Sequence, residues 1–169
     1  PTRGTSFAEV CTDGVDNDGN GLVDDVYGWD FANGDSSLFD GTGDDHGTHV
    51  AGTIAALGNN ALGVVGVAPD NVRLITYKCF ANDQFGGDET GSGSSWAVYG
   101  SLKHLVDWKA NPANGVTQAT LPVNMSLGGS KANYFAIDMI DYGLEHGVVV
   151  IAASGNEGQE IAKFPAAYQ

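Results

Sequence analysis

A chain of 169 residues can bury one substantial core, and its charge is lopsided, with 21 acidic against 7 basic side chains and a formal net charge of −14. That balance argues against nucleic acid and against an anionic membrane surface as partners, and no run approaches the ~18 consecutive apolar residues of a membrane helix. It suits a soluble protein exposed to calcium or to a salty medium.

Pro1 to Val10 is polar and without periodicity. Asp13 to Asp25 is an acidic, glycine-rich loop in which Asp16, Asp18 and Asn20, followed by Gly21, match the first half of the calcium pattern D-x-[DN]-x-[DN]-G. Leu22 then offers a carbonyl at the seventh position and Asp24 falls at the ninth. Tyr27 stands where the pattern expects glutamate, so Asp13 or Asp25 is needed to supply the missing oxygens. So many carboxylates on one short loop repel unless a cation holds them, and Ca2+ is the expected ligand. The bland alternative is a solvated acidic turn.

Val26 to Phe31 reads as a short aromatic strand and Ala32 to Gly43 as a Gly/Ser/Asp loop. The run Asp44-Asp45-His46-Gly47-Thr48-His49-Val50-Ala51-Gly52-Thr53-Ile54-Ala55 then puts apolar residues at helical spacing, to about Leu57. His46 falls at or just before the start of that helix, a placement suited to a general base. Leu57 to Val64 is an Asn/Gly-rich stop, and Val72 to Phe80 has the character of a core strand. Asn82 to Ser95 is a loop, and Trp96, Tyr99, Leu102, Leu105 and Val106 mark a helix running to about Lys109. Leu121 to Ser126 is the next strand, with Gly128 and Gly129 leaving backbone bare for an extended peptide to add as a strand. Ala136, Met139, Ile140, Gly143 and Leu144 form another helical stripe, closed by His146-Gly147. Val148 to Ala153 is a continuous apolar run of the kind buried in a parallel sheet. Cys11 and Cys79 are too few for a disulfide framework; one bridge and two free thiols both stay open.

Three of these segments, in this order, carry a resemblance. His46-Gly47-Thr48-His49-Val50-Ala51-Gly52-Thr53, Asn124-Met125-Ser126-Leu127-Gly128-Gly129 and Ala153-Ser154-Gly155-Asn156 resemble the histidine, substrate-strand and oxyanion segments of the subtilisin-like serine peptidases, the subtilases. The resemblance runs from about Val26 to the end. It implies an α/β fold, three-layered with a mainly parallel central sheet, of which this chain is the middle part: segment 1–12, acidic loop 13–25, and catalytic-domain portion 26–169. It implies His46 as general base, Asn156 as oxyanion donor, and Ser92, Gly93, Ser126, Leu127 and Gly128 as rails for an extended peptide or protein substrate. It also implies a second Ca2+ loop with Asn60, Leu62 and Val64 as ligands, an extracellular location, and the remainder of the catalytic domain as a possible partner.

The family's triad aspartate, in a D-[ST]-G segment, and its serine are not found at the expected places. Gly4-Thr5-Ser6 mimics the serine segment but precedes the histidine and leads into an acidic loop, so Ser6 reads as a decoy unless the chain is permuted. The chain alone is therefore expected to be inactive. The competing reading is a calcium-dependent peptide-binding module without chemistry.

Overall fold

The computed structural model describes residues 12–41, 44–70, 72–80, 95–156, 158 and 162–168. Strand and helix alternate: β1 (Gly28–Asp30), α1 (Asp45–Ala55), β2 (Thr76–Lys78), α2 (Ser95–Ala110), a 3-10 turn at Pro112–Asn114, β3 (Leu121–Met125), α3 (Tyr134–Glu145) and β4 (Val148–Ala152). β1 pairs with β2 and β3 with β4, both in parallel. Parallel neighbours need a crossover, and α1 and α3 supply it. The fold is α/β, as expected. Among the described residues the strands form two parallel pairs, in keeping with the mainly parallel sheet that was expected. The chain divides into two compact units, Pro1–Val98 and Tyr99–Gln169, each holding one pair.

In the first unit the aromatic strand is shorter than its sequence suggested. Gly28 N–H donates to the Asp25 carbonyl at 3.0 Å, which turns Val26 and Tyr27 out of the strand. Gly34 N–H closes on the Asp30 carbonyl at 2.8 Å and ends it on the other side. β2 is held to three residues because β1 offers it three register partners, Gly28 with Thr76, Trp29 with Tyr77 and Asp30 with Lys78. Gly28 is required here: its φ is +133°, and a Cβ would lie 1.8 Å from the Thr76 carbonyl oxygen. Phe31 and Tyr77 meet edge to face with ring centres 5.4 Å apart.

In the second unit β3 and β4 run in register from Leu121 opposite Val148 to Met125 opposite Ala152. Leu102, Val106, Met125, Ala136 and Val148 form the buried centre. At Gly143 a Cβ would stand 3.6 Å from Val148 Cβ and 3.7 Å from Val106, so α3 lies close against both β4 and α2. The Val148–Ala152 run was expected to be buried throughout. Instead it alternates, with Val149 and Ile151 exposed, because α3 covers only the face that Val148 occupies. α3 starts on Asn133, whose side chain accepts the Phe135 N–H at 3.0 Å. It ends at His146 and Gly147, φ +72°, as the sequence indicated. Among the described residues no helix is long and apolar enough to cross a membrane.

Candidate functional site

His46 is the second residue of α1 and is exposed. Asp44 occupies the N-cap, yet its side chain makes no capping hydrogen bond. Its carboxylate instead receives the Lys78 ammonium at 2.9 Å and the Asp40 backbone N–H at 2.8 Å. Lys78 also pairs with Asp30 at 3.2 Å and with Asp40. The lysine side chain is 8% exposed and Asp30 is fully buried. Asp30 Oδ1 further accepts the Ala32 and Asn33 N–H groups at 2.7 and 2.9 Å, and Oδ2 accepts from the Asn33 amide. Burial pulls the Lys78 pKa down, but hydrogen bonds to Asp40, Asp44 and Asp30 outweigh it, and the net shift is upward. Hydrogen bonds from Lys78 and then Ser37 hold the Asp40 carboxyl below its ordinary range.

The far end of α1 is fastened by the segment that follows. Val67 and Ala68 N–H groups donate to the Thr53 and Ile54 carbonyls at 3.0 and 2.9 Å, and Gly66 N–H to Ala56 at 2.9 Å. These carbonyls would otherwise lack intrahelical partners. A Cβ at Gly66 would come within 2.5 Å of the Ala56 nitrogen, so this approach depends on glycine.

The acidic loop is turned by hydrogen bonds from its own backbone to its carboxylates. Asp16 accepts from Gly19 N–H at 2.7 Å, Asn20 N–H at 3.1 Å and Gly21 N–H at 2.8 Å. The Gly21 bond leads in lowering the Asp16 pKa, against some desolvation. Asp18 accepts from Asn20 N–H at 3.0 Å and Asn20 from Leu22 N–H at 2.8 Å. Asp24, φ +60°, reaches back to the Asp13 and Gly14 N–H groups and clasps the loop at its neck. Asp13 spends its oxygens on Val15 N–H and the Asn17 amide. Asp25 is fully buried, receives the Asn20 amide at 3.0 Å, and helps burial push the Tyr77 phenol pKa upward. Among the described residues no three His, Cys, Asp or Glu side chains cluster closely enough to hold a metal ion. The donor chemistry still fits a hard cation, because the pattern mixes carboxylates with the Asn20 amide oxygen and the Leu22 carbonyl.

Residues 57–65 curl around an open hollow of about 270 Å³. Asn60 Oδ1 accepts the Leu62 N–H at 3.0 Å, with Asn59, Ala61 and Gly63 all at positive φ. Leu62 and Val64 are exposed on this loop.

In the second unit Ser126, Leu127 and Gly128 continue from the carboxyl end of β3, and Ala153 to Asn156 from that of β4. Ala153 N–H donates to the Met125 carbonyl at 3.1 Å, so the two extensions leave the sheet side by side. Gly129 and Phe164 exchange backbone hydrogen bonds of 2.8 and 2.9 Å, closing the other side of the opening. A Cβ at Gly128 would sit 3.7 Å from the Phe164 oxygen and 4.0 Å from the Ala153 oxygen. The bare backbone of Gly128 is thus flanked by both neighbours, and Asn156 lies exposed at the rim. The Asn124 amide donates to Ser126 Oγ at 2.9 Å. Within this unit the structure brings together Ser126, Leu127 and Gly128 with the segment that leads to Asn156. Ser92 and Gly93 lie outside the described residues, as do Ser6 and Cys11. Cys79 is buried, and its thiol donates to the Ala97 carbonyl at 3.5 Å.

The sequence profile of the subtilase family matches residues 9–169. The chain belongs to the subtilase family. Thermitase of Thermoactinomyces vulgaris is 34% identical over 143 residues, covering 85% of this chain and 44% of thermitase. Alkaline elastase YaB of Bacillus sp. (strain YaB) is 42% identical over 141 residues, covering 83% of this chain and 32% of the elastase. The S41 psychrophilic protease has a similar structure, with a TM-score of 0.64 at 31% identity over 98% of this chain and 52% of that one. This subtilase chain thus spans less than half the length of those two curated relatives.

Lys78, Asp30 and Asp40 are the residues that sequence reasoning passed over. The available signal was Lys78 itself, a cation inside an apolar strand, which burial permits only with partners.

Proposed function

We propose that the protein carrying this chain is a serine endopeptidase of the subtilisin type, with His46 as general base and Asn156 as oxyanion donor. The observation that carries this reading is the paired exit of the Ser126–Gly128 and Ala153–Asn156 segments from one end of a parallel pair. An extended peptide added along Ser126, Leu127 and Gly128 would run beside the segment that ends at Asn156. In this reading Ser92 and Gly93 also serve as rails for the substrate. In the reaction His46 takes the proton of the attacking hydroxyl and returns it to the leaving amine. The Asn156 amide donates to the oxygen on which negative charge develops.

The nucleophilic serine and the triad aspartate belong, in this reading, to parts of the catalytic domain outside these 169 residues, which leaves the chain inactive by itself. That rests on the missing D-[ST]-G segment before His46 and on the position of Gly4-Thr5-Ser6. Ca2+ is the proposed ion of the acidic loop, held by Asp16, Asp18, Asn20 and the Leu22 carbonyl. Asp25 stands behind them, and Asp13 and Asp24 close the neck. Asn60 with the Leu62 and Val64 carbonyls would serve a second ion. Bound there, a cation would neutralise the carboxylate charge and stiffen the loops. The acidic charge and the names of the relatives favour extracellular work on protein or peptide substrates.

The test is peptide hydrolysis by the full-length protein. Asn156→Leu is expected to lower kcat by about 10²–10³-fold with KM little changed, and His46→Ala to abolish turnover. Absence of hydrolysis by the wild-type full-length protein would favour the binding-module alternative, and unchanged hydrolysis in both variants would overturn the roles given to His46 and Asn156.

A further inference from the structure

We propose that Lys78 is a positioning residue for His46, acting through Asp44. The proposal rests on the reading of His46 as general base. No residue of α1 is buried, so apolar packing does not seat its first turn. Its last turn is fastened by the backbone of residues 66–68. At the first turn the described anchor is Asp44, two residues before His46, whose carboxylate is turned from the helix N–H groups onto Lys78.

Lys78 in turn is fixed from the sheet side. It lies opposite Asp30 in the β1–β2 register and bonds to that fully buried carboxylate. Asp40, which also pairs with Lys78, gives its backbone N–H to Asp44. One ammonium therefore ties the end of β1, the loop after it and the N-cap of α1 into a single cluster around the buried Lys78–Asp30 pair. A carboxylate at an N-cap ordinarily binds the helix it begins. Here it fixes the direction in which the helix leaves the sheet, and with it the direction of His46. Small displacements of a catalytic base lower turnover without weakening substrate binding.

The experiment compares kcat, KM and the thermal midpoint for Asp44→Ala, Lys78→Met, Lys78→Arg and His46→Ala in the full-length protein. Asp44→Ala is expected to lower kcat about 10- to 100-fold while KM stays within about twofold and the protein remains folded. Lys78→Arg, which keeps the charge, is expected to fall nearer the wild type than Lys78→Met. If Lys78→Met fails to fold, Asp44→Ala decides. A folded Asp44→Ala variant with wild-type kcat, beside an inactive His46→Ala, overturns the positioning role alone. Full activity in His46→Ala overturns the reading of the site as well.

Discussion

Lys78 shows how a single charged side chain can be placed in an apolar strand. Removing it would leave Asp30 buried and short of its cation, so Lys78→Met is expected to destabilise the first unit by about 3 kcal/mol or more. The pH dependence follows from the shifts. Asp40 has a pKa lowered from 3.8, so its contribution is complete above that value and lost as pH falls through the lowered one. Lys78 has a pKa raised from 10.5, so its contribution is complete below that value and lost only as pH rises further. Urea midpoints measured from about pH 5 down to pH 2 should fall, and Asp40→Asn should flatten part of that fall. Identical slopes in the two proteins would show that Asp40 contributes nothing. None of this cluster was legible as a group, because its members are scattered from Asp30 to Lys78 and leave no local pattern.

Elements were legible where apolar periodicity was strong. α2, α3, β3 and β4 fall within a residue or two of their expected bounds, since Leu102, Val106, Ala136 and Val148 repeat at the spacing their elements require. β1 and β2 came out shorter than their apolar runs. Backbone turns at Asp25–Gly28 and Asp30–Gly34 cut β1, and turns of that kind are set by hydrogen bonds that composition does not reveal. The His46 helix was placed correctly, but what fastens it was not. Gly66 looked like one glycine among many, whereas it lets the following strand of chain reach the carbonyls of α1. Gly66→Ala is expected to cost about 1–3 kcal/mol, since backbone and not a flexible side chain blocks the new methyl group. An unfolding free energy equal to wild type would contradict that close approach.

At the scale of the molecule, the net charge of −14 and the calcium-type loop belong together. Self-repulsion weakens a folded state, and a divalent cation on the 13–25 loop would relieve it where the carboxylates are densest. At a free Ca2+ concentration about 100 times its Kd, one site adds about 2.7 kcal/mol, so a chelator should lower the thermal midpoint of the full-length protein by several degrees. NaCl of matched ionic strength should not restore it. An unchanged midpoint would leave the loop as a solvated acidic turn. Family membership was legible from three short segments because their chemistry needs particular residues in a particular order. The complete active site was not, since no D-[ST]-G segment precedes His46 and Gly4-Thr5-Ser6 stands ahead of the histidine.

The most direct measurement labels the full-length protein with a fluorophosphonate probe and maps the modified peptide by mass. The account predicts a label on a serine outside residues 1–169, lost in His46→Ala. A label on Ser6, or one that survives His46→Ala, would contradict it.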